Sequence, residues 1–502
     1  MNKILLFFPS VADNAEITKS VAILNGIAKQ HGWKTDYFDT YEYEKSEQTV
    51  ASVNARSNTG EVKSFASIDT AVKPREELFG DLQNKIDTFK PDIIAISCSS
   101  YEYDHLLTIL PKIKIPKETL ILIGGVHAVL KPDEVIATGL FDMVCTGDGE
   151  ETFNELLTKY DNREDLRHID NIYFRDKKSG EVIKNPRRRL TDESILWKFK
   201  QDYSLFDDKY FIYPYHGKLY RRFRFEVGRG CPYNCTYCAN SALRNAYQSL
   251  GKYFRSRPLD TIKDDMENIM NGHNIEMFLI EDECLLAHSD EWLNDFFEWY
   301  GRVIKKPFIL QTRPETVTEE KIRILEKANA PFFQVKMGVE SGSPRILHEI
   351  CNRMMKVEQI ISAFDVLHKH NITAAACLII GFPTETREEI FETINLCRRI
   401  KPDEMLVNIF QPMPGQQLRD LCIEKGYIKP DDKPHFFTDR SILNMPHISQ
   451  KEIESLRRVF PLYVILPEEY FHQIERCEKD YENNVELYNE LVQLRWKLAP
   501  RD

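Results

Sequence analysis

The sequence predicts an α/β protein with two α/β units, a linker between them and a helical region at the C-terminus. Two observations support this fold class. Short apolar runs rich in Val, Ile, Leu and Phe recur along the chain, and helical stretches separate most of them. The 502 residues also exceed the usual size of one domain. The predicted divisions are an N-terminal domain (1–155), a linker (156–220), a partial barrel (221–430) and a C-terminal helical region (431–502).

The N-terminal domain is expected to form a doubly wound parallel sheet, because its strand-like runs alternate with helical patterns. The strand-like runs lie at 3–9, 35–40, 92–100, 119–128 and 142–148, and the helical patterns near 16–31 and 75–89. Sheets of this kind bind ligands beyond the C-terminal ends of their strands. The loops SCSSYEYDH, GGVHAVLKP and TGDGEET follow three of the runs and therefore form a candidate binding crevice.

Two adjacent glycines, Gly124 and Gly125, lie in the second of these loops, directly after a strand-like run. A backbone without side chains can approach a flat or bulky ligand closely. A simple tight turn explains the same pair of glycines equally well. Both interpretations stay open on the residues alone.

The linker at 156–220 is irregular and rich in charged and aromatic residues. One stretch within it, NIYFRDKKSGEVIKN, has the pattern of a β-hairpin. Two basic clusters, KNPRRRL (184–190) and YRRFRF (220–225), lie in or beside the linker. Such clusters can meet an anion or simply be solvated.

The alternation of strands and helices resumes after residue 220 and predicts a partial (β/α)6 barrel. Six parallel strands with intervening helices leave one side open, so that a substrate can enter. The tail beyond residue 430 has an amphipathic helical pattern, and we expect it to pack over the barrel mouth or to contact itself. The six predicted strands lie in RRFRFEVGRG, EMFLIED, FILQTRPE, FFQVKMGVES, ITAAACLIIGFP and EMLVNIFQPMPG.

Composition and charge exclude several classes of protein. The net charge of −11 disfavours an extended nucleic-acid surface, because phosphate contacts need a surplus of Lys and Arg. No apolar run is long enough to cross a bilayer. The apolar N-terminus ends at Pro9 without a small-residue cleavage site, which is typical of a first buried strand. We therefore expect a cytoplasmic protein with no membrane span and no nucleic-acid partner.

The stretch GRGCPYNCTYCAN gathers three of the eleven cysteines, Cys231, Cys235 and Cys238, within eight residues. The other eight are scattered, and we expect them to be small buried side chains. A structural zinc site needs four ligands, and no fourth Cys or His lies at a suitable spacing. In a four-iron cluster, three thiolates leave one iron open for a substrate or cofactor. Gly228 and Gly230 allow the loop to wrap closely around such a cluster.

This loop resembles that of the radical SAM enzymes, in which a CxxxCx(aromatic)C motif follows the first barrel strand. The resemblance implies that Cys231, Cys235 and Cys238 ligate a [4Fe–4S] cluster, and that S-adenosyl-L-methionine (SAM) chelates the fourth iron. Tyr237 stands where the family places an aromatic ring against the adenine.

Five later segments, FLIEDECL, QTRPE, MGVESGS, IIGFPTET and QPMPGQQL, resemble those that follow the second to sixth barrel strands of this family, in the same order. The resemblance implies an acidic pair for the SAM ammonium, an arginine for its carboxylate and two residues near the cofactor. Each can also be an ordinary charge or polar group at a strand end. The candidates are Asp282 and Glu283, Arg313, and Glu340 and Ser341.

The N-terminal half resembles the cobalamin-binding radical SAM proteins, also called class B methylases, in the run GGVHAVLKPDEVI…FDMVCTGDGEETF. The DxHxxG motif that supplies an axial histidine in other cobalamin proteins is absent. The resemblance then implies base-off cobalamin with no protein histidine on cobalt, although a domain that lost the cofactor has the same appearance. The implied cobalamin contacts are Ser99, Ser100, Tyr101, Gly124, Gly125 and His127.

Together these resemblances imply a cobalamin-dependent radical SAM enzyme that methylates a carbon. In this class an electron enters the cluster, SAM is split to methionine and a 5′-deoxyadenosyl radical, and that radical removes hydrogen from an unactivated carbon. Methylcobalamin then delivers the methyl group. The expected partners are a small-molecule, lipid or peptide substrate and an external electron donor such as flavodoxin or ferredoxin.

Three other functions are compatible with parts of the pattern. The same scaffold can carry out cyclisation, rearrangement or C–C coupling without methyl transfer. A methylthiotransferase is disfavoured, because those enzymes carry a cysteine trio in their N-terminal domain, where this chain has only Cys98 and Cys145. A non-catalytic corrinoid or cluster sensor is the third, and SAM turnover under reduction distinguishes an enzyme from it.

Overall fold

A computed structural model of the chain describes residues 1–12, 15–44, 73–435 and 440–498. Parts of the predicted N-terminal domain and of the C-terminal region lie outside these ranges. Within them, two seven-stranded sheets with flanking helices are followed by a helical C-terminal region, so the predicted fold class is confirmed. The described part of the chain has no helix of the length and hydropathy needed to cross a bilayer.

The strands and helices are bounded as follows. The strands are β1 (Lys3–Phe8), β2 (Lys34–Asp39), β3 (Ile93–Ser97), β4 (Leu120–Gly124), β5 (Met143–Cys145), β6 (Ile172–Arg175), β7 (Val182–Lys184), β8 (Ile212–Tyr215), β9 (Lys218–Glu226), β10 (Gly228–Arg229), β11 (Arg255–Ser256), β12 (Met277–Glu281), β13 (Phe308–Thr312), β14 (Phe333–Glu340), β15 (Thr373–Ile380) and β16 (Glu404–Ile409). The helices are α1 (Lys19–Gln30), α2 (Arg75–Phe89), α3 (Ser100–Ile109), α4 (Val126–Leu130), α5 (Pro132–Ala137), α6 (Gly149–Asp161), α7 (Glu193–Leu196), α8 (Ala239–Ala246), α9 (Leu259–His273), α10 (Asp290–Val303), α11 (Glu319–Glu326), α12 (Val357–Lys369), α13 (Arg387–Ile400), α14 (Gln417–Glu424), α15 (Gln450–Ile465), α16 (Phe471–Lys479) and α17 (Val485–Leu498).

The first sheet is doubly wound, with strand order β2-β1-β3-β4-β5-β6-β7. Strands β1 to β5 are parallel. Successive side chains of a strand point to opposite faces, and the two faces of β1 enter different cores. Leu6 packs in the core that includes α1, whereas Phe7 packs in the core that includes α2. Helices therefore cover both faces of this sheet.

The first sheet extends beyond the predicted domain boundary at residue 155. Strands β6 and β7 form the hairpin that the sequence indicates at 171–185, and β6 pairs antiparallel with β5. Ile172 is fully buried in the core beneath that pairing. Burial of this hydrophobic side chain explains why the start of the predicted linker is part of the sheet.

The second sheet is the partial barrel, with order β16-β15-β14-β13-β12-β9-β8. Its six parallel strands, β9 and β12 to β16, follow one another in chain order and correspond to the six predicted strands. Strand β8 adds an antiparallel edge beside β9. The short ribbon of β10 and β11 lies just outside the first barrel strand and leads into the cysteine loop.

The C-terminal helices pack at the far edge of the barrel sheet. Helix α15 contacts β16 and α13. The Arg457 side chain on α15 donates to the Val407 carbonyl of β16 at 3.2 Å, and Ile453 packs beside Gly381. Arg398 of α13 donates to the carbonyl of Tyr463 at 2.6 Å. This region therefore covers the β16 edge.

Candidate functional site

The cysteine loop joins β10 to α8, and a glycine gives it its shape. Gly230 has φ +82°, and a Cβ at this position would lie 2.5 Å from the carbonyl oxygen of Tyr253. Only glycine fits both the backbone angle and this close approach. At the other end of the loop Cys238 caps α8, and its Sγ accepts a hydrogen bond from Asn240 N at 3.4 Å.

The three loop cysteines present a donor set suited to iron. Cys235 is buried, whereas Cys231 and Cys238 are half-buried, and all three are free thiols. Burial raises the pKa of Cys231 to about 12 and that of Cys238 to about 11. Arg313 Nη1 donates to Cys235 Sγ at 3.4 Å. N–H groups directed at sulfur stabilise cluster-bound thiolates, so these residues fit an iron–sulfur cluster.

The three sulfurs are not arranged around one metal ion. In the described part of the chain, no three His, Cys, Asp or Glu side chains are close enough to hold a single ion. A cubane cluster is bound differently, because each thiolate ligates a different iron and the sulfurs need not meet at one point. The described arrangement is compatible with that mode of binding.

A turn at residues 350–352, between β14 and α12, holds the cysteine loop in place. The Thr236 backbone N–H donates to the Cys351 carbonyl at 3.2 Å, and its hydroxyl donates to the Ile350 carbonyl at 2.5 Å. Asn352 Nδ2 donates to the Asn234 carbonyl at 2.9 Å. The loop therefore has a fixed contact with the segment that leads from β14 to α12.

Two predicted SAM contacts, Tyr237 and Glu340, lie together, and Arg353 joins them. Arg353 Nη1 lies 2.9 Å from the Tyr237 hydroxyl and 3.4 Å from Glu340 Oε1. Tyr237 also meets the edge of Phe382, with ring centroids 5.7 Å apart. Arg353 could not be singled out from the sequence, because it follows the fourth-strand motif in a stretch without pattern. Its contacts were visible only in the fold.

Arg313, the predicted partner of the SAM carboxylate, is buried beside the cysteine loop. Its guanidinium stacks on the ring of Tyr233 at 3.8 Å and forms a 2.6 Å ion pair with Glu315. Its Nε has no hydrogen-bond partner in the described structure. A buried N–H without a partner is unfavourable, so the position suits an acceptor brought by a ligand.

The acidic pair after β12 separates into two different environments. Asp282 Oδ1 accepts from the Cys284 backbone at 2.8 Å, and Oδ2 lies 2.8 Å from His288 Nε2. Asp282 is thus buried and already bonded. Glu283 is exposed, and partial desolvation of its carboxyl raises its pKa, with the charges of Asp282 and Glu281 adding to the effect. Of the pair, Glu283 is the carboxylate open to a ligand.

Ser341, the last predicted SAM contact, points toward the helix layer. Its hydroxyl lies 3.2 Å from the hydroxyl of Thr393 on α13 and accepts from the Ser343 backbone at 3.1 Å. Ser341 is fully buried. These bonds fix the turn after β14, where Glu340 lies.

A partly open cavity of about 340 Å³ lies between the first sheet and the elements that flank the cysteine loop. Its walls are mainly apolar. They come from the C-terminal ends of β3, β4 and β5, from α1 and α6, and from the barrel side through α8 and β11. Residues from both sides include Ile23, Leu122, Gly124, Cys145, Phe153, Leu243, Tyr247 and Tyr253.

The cavity leaves backbone exposed at glycines, as a bulky flat ligand requires. A Cβ on Gly149 would meet no atom within 4 Å, and one on Gly124 would make only an ordinary contact with Cys145 at 3.5 Å. Gly125 is different, because it has φ +97° and its Cβ would lie 2.4 Å from the Cys98 carbonyl oxygen. Packing between two loops therefore explains Gly125. The apolar walls and open backbone fit a corrin ring.

The other predicted cobalamin contacts, Ser99, Ser100, Tyr101 and His127, are not among the residues that line this cavity. Ser99 caps α3 and its N–H donates to the Glu102 carboxylate at 2.9 Å. Ser100 Oγ lies 2.9 Å from His127 Nδ1.

The His127 ring is packed inside the N-terminal domain. It stacks on Tyr103 with ring centroids 4.0 Å apart, and Nε2 lies 3.8 Å from Glu134 Oε1. Burial lowers the pKa of His127 to about 4, so the imidazole is neutral at pH 7. The described contacts of the ring are with the protein.

Ion pairs join the N-terminal domain to the β10–β11 ribbon at the cavity wall. Arg229 lies 2.7 Å from Glu150, and Arg255 lies 2.6 Å from Asp148. All four residues line the cavity. Arg229 is also two residues before the first cysteine of the loop. The candidate corrin site and the cysteine loop therefore share one charged wall.

The two basic clusters near the linker are also bound within the protein. Arg187 donates to the carbonyls of Ala246 and Val129, both at 2.6 Å. Arg224 forms a 2.6 Å ion pair with Glu281 of the barrel and a second ion pair with Glu16 of the N-terminal domain. These arginines hold the barrel against the N-terminal domain.

Two stretches of the chain match known families. Residues 225–397 match the Radical SAM superfamily, and residues 63–157 match the B12 binding domain. The first stretch begins at the end of β9 and contains the cysteine loop and the four parallel barrel strands β12 to β15. The second ends just after the TGDGEE turn at the cavity wall.

Two relatives cover most of the chain. An uncharacterised methyltransferase of Pyrococcus horikoshii is 25% identical, over 76% of this chain and 80% of the relative. The anaerobic magnesium-protoporphyrin IX monomethyl ester cyclase of Rubrivivax gelatinosus is 23% identical, over 74% of this chain and 70% of the relative.

Among solved structures, the radical SAM methyltransferase TsrM from Kitasatospora setae, with cobalamin and a [4Fe–4S] cluster bound, has a TM-score of 0.62 to this chain at 11% identity. The superposition covers 99% of this chain and 100% of TsrM, so the fold is shared throughout. Both matched families and both candidate sites are present in one chain. The chain therefore belongs to the cobalamin-dependent radical SAM enzymes, and its cofactors are a [4Fe–4S] cluster, S-adenosyl-L-methionine and cobalamin.

Proposed function

We propose that this enzyme transfers a methyl group to an unactivated carbon of its substrate. The observation that carries the proposal is a cavity with the ligand edge of the first sheet on one side and α8, which follows the cysteine loop, on the other. When bound, the cofactors would pass on an electron from an external donor and supply the radical that abstracts hydrogen and the methyl group.

The chain's own residues bind and orient the cofactors in this proposal. Cys231, Cys235 and Cys238 ligate the cluster, and Arg313 holds the SAM carboxylate while remaining bonded to Cys235. Glu283 meets the SAM ammonium. Charge-assisted hydrogen bonds of this kind fix the orientation of a ligand as well as its affinity.

The apolar cavity wall keeps water from the reacting carbon. Leu122, Phe153 and Leu243 contribute hydrophobic surface from both domains. Water exclusion strengthens the polar contacts that remain and prevents side reactions of reactive species. The Pyrococcus relative and the TsrM structure, both described as methyltransferases, support the same chemistry.

A cyclisation without net methyl transfer is the second candidate, because the Rubrivivax cyclase is similar to this chain over nearly the same share of its length. In either case we propose a small-molecule, lipid or peptide substrate. We also propose an external electron donor such as flavodoxin or ferredoxin.

The deciding experiment uses SAM that carries a deuterated methyl group. Anaerobically reconstituted protein with cobalamin and a reductant is incubated with protein-free cell extract, and products are analysed by mass spectrometry. Label in a new extract compound supports methyl transfer. Formation of 5′-deoxyadenosine with an unlabelled new product favours cyclisation or rearrangement, and absence of any SAM cleavage contradicts both. The control is a variant with Cys231, Cys235 and Cys238 replaced by Ala, which should lose the cluster and all SAM cleavage.

A further inference from the structure

We propose that Arg353 is a positioning residue for SAM, which sets the Tyr237 ring and the Glu340 carboxylate in the geometry that receives the cofactor. The inference rests on the predicted SAM contacts of those two residues. Arg353 itself is assigned no contact with the cofactor.

The contacts of Arg353 connect three separate parts of the chain. Its Nη1 reaches the Tyr237 hydroxyl in the cysteine loop at 2.9 Å and Glu340 Oε1 at the end of β14 at 3.4 Å. Its Nη2 donates to the Gly338 carbonyl and lies 3.7 Å from Met355 Sδ. One planar guanidinium thereby fixes the relative positions of the loop and the strand end.

The backbone conformation of Glu340 explains why the hydrogen bonds of Arg353 are needed. Glu340 has φ +65°, in the left-handed region that side-chain-bearing residues rarely adopt. The strand register shifts between Gly338 and Glu340 at the same place. Strained conformations persist only where surrounding contacts hold them, and Arg353 contacts both sides of this irregularity.

The burial of Arg353 argues for a specific task rather than general stabilisation. Arg353 is only 3% exposed, and its Nε has no hydrogen-bond partner in the described structure. A buried guanidinium is expensive to desolvate, and an apolar side chain would fill the same space at less cost. The fixed donor geometry of arginine is what an apolar residue cannot supply.

The turn that contains Arg353 also forms hydrogen bonds with the backbone of the cysteine loop. Asn352 donates to Asn234, and the carbonyl of Cys351 accepts from Thr236. Two successive residues of the turn thus hold the loop backbone, and the third holds the aromatic ring. The turn therefore keeps the cluster ligands and the predicted adenine-facing ring in one rigid unit.

The test compares Arg353→Met and Arg353→Lys with Arg345→Met as a matched control. Arg345 is a half-buried arginine that pairs with Glu389 at 2.7 Å, away from the cysteine loop. Iron and sulfide content, SAM affinity, and the electron paramagnetic resonance spectrum of the reduced cluster with and without SAM are measured for each anaerobically reconstituted protein.

We expect Arg353→Met to keep its cluster but to bind SAM roughly ten- to a hundredfold more weakly, as the loss of charge-assisted hydrogen bonds implies. The spectral change on SAM addition should be reduced in Arg353→Met and partly restored in Arg353→Lys. Arg345→Met should behave as the parent protein does. SAM affinity within about twofold of the parent in Arg353→Met, with an unchanged spectrum, would overturn the proposal.

Loss of iron from a folded Arg353→Met protein would also overturn it, because the arginine would then support the cluster itself. If Arg353→Met does not fold, Tyr237→Phe decides, since it removes only the hydroxyl that receives the Arg353 hydrogen bond. Weaker SAM binding with an altered SAM-dependent spectrum in Tyr237→Phe supports the proposal, and parental affinity contradicts it.

Discussion

The Arg229 guanidinium lies 2.7 Å from the Glu150 carboxylate, and this ion pair links the strand before the cysteine loop to the first turn of a helix in the B12-binding domain. Glu226 at 3.5 Å and Asp148 at 4.0 Å complete the anionic surroundings of Arg229. The pair therefore connects the entry to the cysteine loop with the wall of the candidate corrin site.

Replacing Glu150 by Gln should destabilise the contact between the domains. Glu150 is only 4% exposed, and its loss leaves Arg229 with the more distant carboxylates. We expect a decrease of about 1–3 kcal/mol in the free energy of unfolding, measured as a lower thermal midpoint. Cobalamin retention should fall in the same variant. Glu298→Gln, which removes an exposed ion pair with Lys327, is the control and should leave both quantities unchanged.

The acidic pair after β12 should divide into a ligand contact and a structural residue. Glu283→Gln should weaken SAM binding by about 1.5–3 kcal/mol while the cluster remains, because a charge-assisted hydrogen bond is lost. Asp282→Asn should instead lower the thermal midpoint, since Asp282 is bonded to His288. Titration of SAM into each reconstituted variant separates the two effects. A Glu283→Gln protein with parental SAM affinity contradicts this assignment.

His127 should not ligate cobalt. The ring is bonded to Ser100 and stacked on Tyr103, so it has no described contact with the cavity. Parent and His127→Ala proteins loaded with hydroxocobalamin should both retain stoichiometric corrinoid after gel filtration. The cob(II)alamin resonance of both should lack nitrogen superhyperfine splitting. Splitting that is present in the parent and absent from His127→Ala would show that the imidazole binds cobalt.

The stability of the barrel should depend on pH through Glu385. Burial raises the pKa of this carboxyl from 4.5 to about 8, with the charge of Glu389 acting in the same direction and Arg345 opposing it. Between pH 4.5 and about pH 8, the Glu385 carboxyl loses its proton in the unfolded chain but keeps it in the folded chain. Stability contributed by the neutral carboxyl is therefore present below about pH 4.5 and declines as the pH rises through about 8.

Thermal midpoints at about pH 6 and about pH 8 test this dependence. Glu385→Gln should show a smaller decrease between the two pH values than the parent protein. Glu392→Gln, on the exposed side of α13, is the control and should keep the parental dependence. An equal decrease in thermal midpoint in all three proteins would rule out Glu385 as the titrating group.

The helices and strands that depend on local patterns could be predicted from the sequence. Helix α2 spans Arg75–Phe89, as its predicted range indicates, because its buried residues recur at helical spacing. The six barrel strands were predictable for a different reason, because each is a short apolar run between helical stretches. Hairpin strand β6 was visible as a strand, but its pairing with β5 depends on a tertiary contact, so the end of the first sheet was not predictable.

The sequence motifs could not predict side-chain direction or contacts between residues far apart in the chain. Glu283 and Asp282 are adjacent and chemically alike, and only the position of His288 decides which one is enclosed. Tyr237 and Arg353 are 116 residues apart, so no short motif contains both. The position of a loop after a parallel strand was predictable, but which of its side chains face the cavity was not.

The chain-order arrangement of the barrel has a consequence for synthesis of the protein on the ribosome. From β9 through β12 to β16, each new parallel strand pairs with the strand made just before it. Pairing with a recent neighbour closes short loops and speeds folding. We therefore expect the barrel to grow by one strand at a time as the chain emerges. The β16 edge stays open to other nascent chains until α15 has been made and covers it.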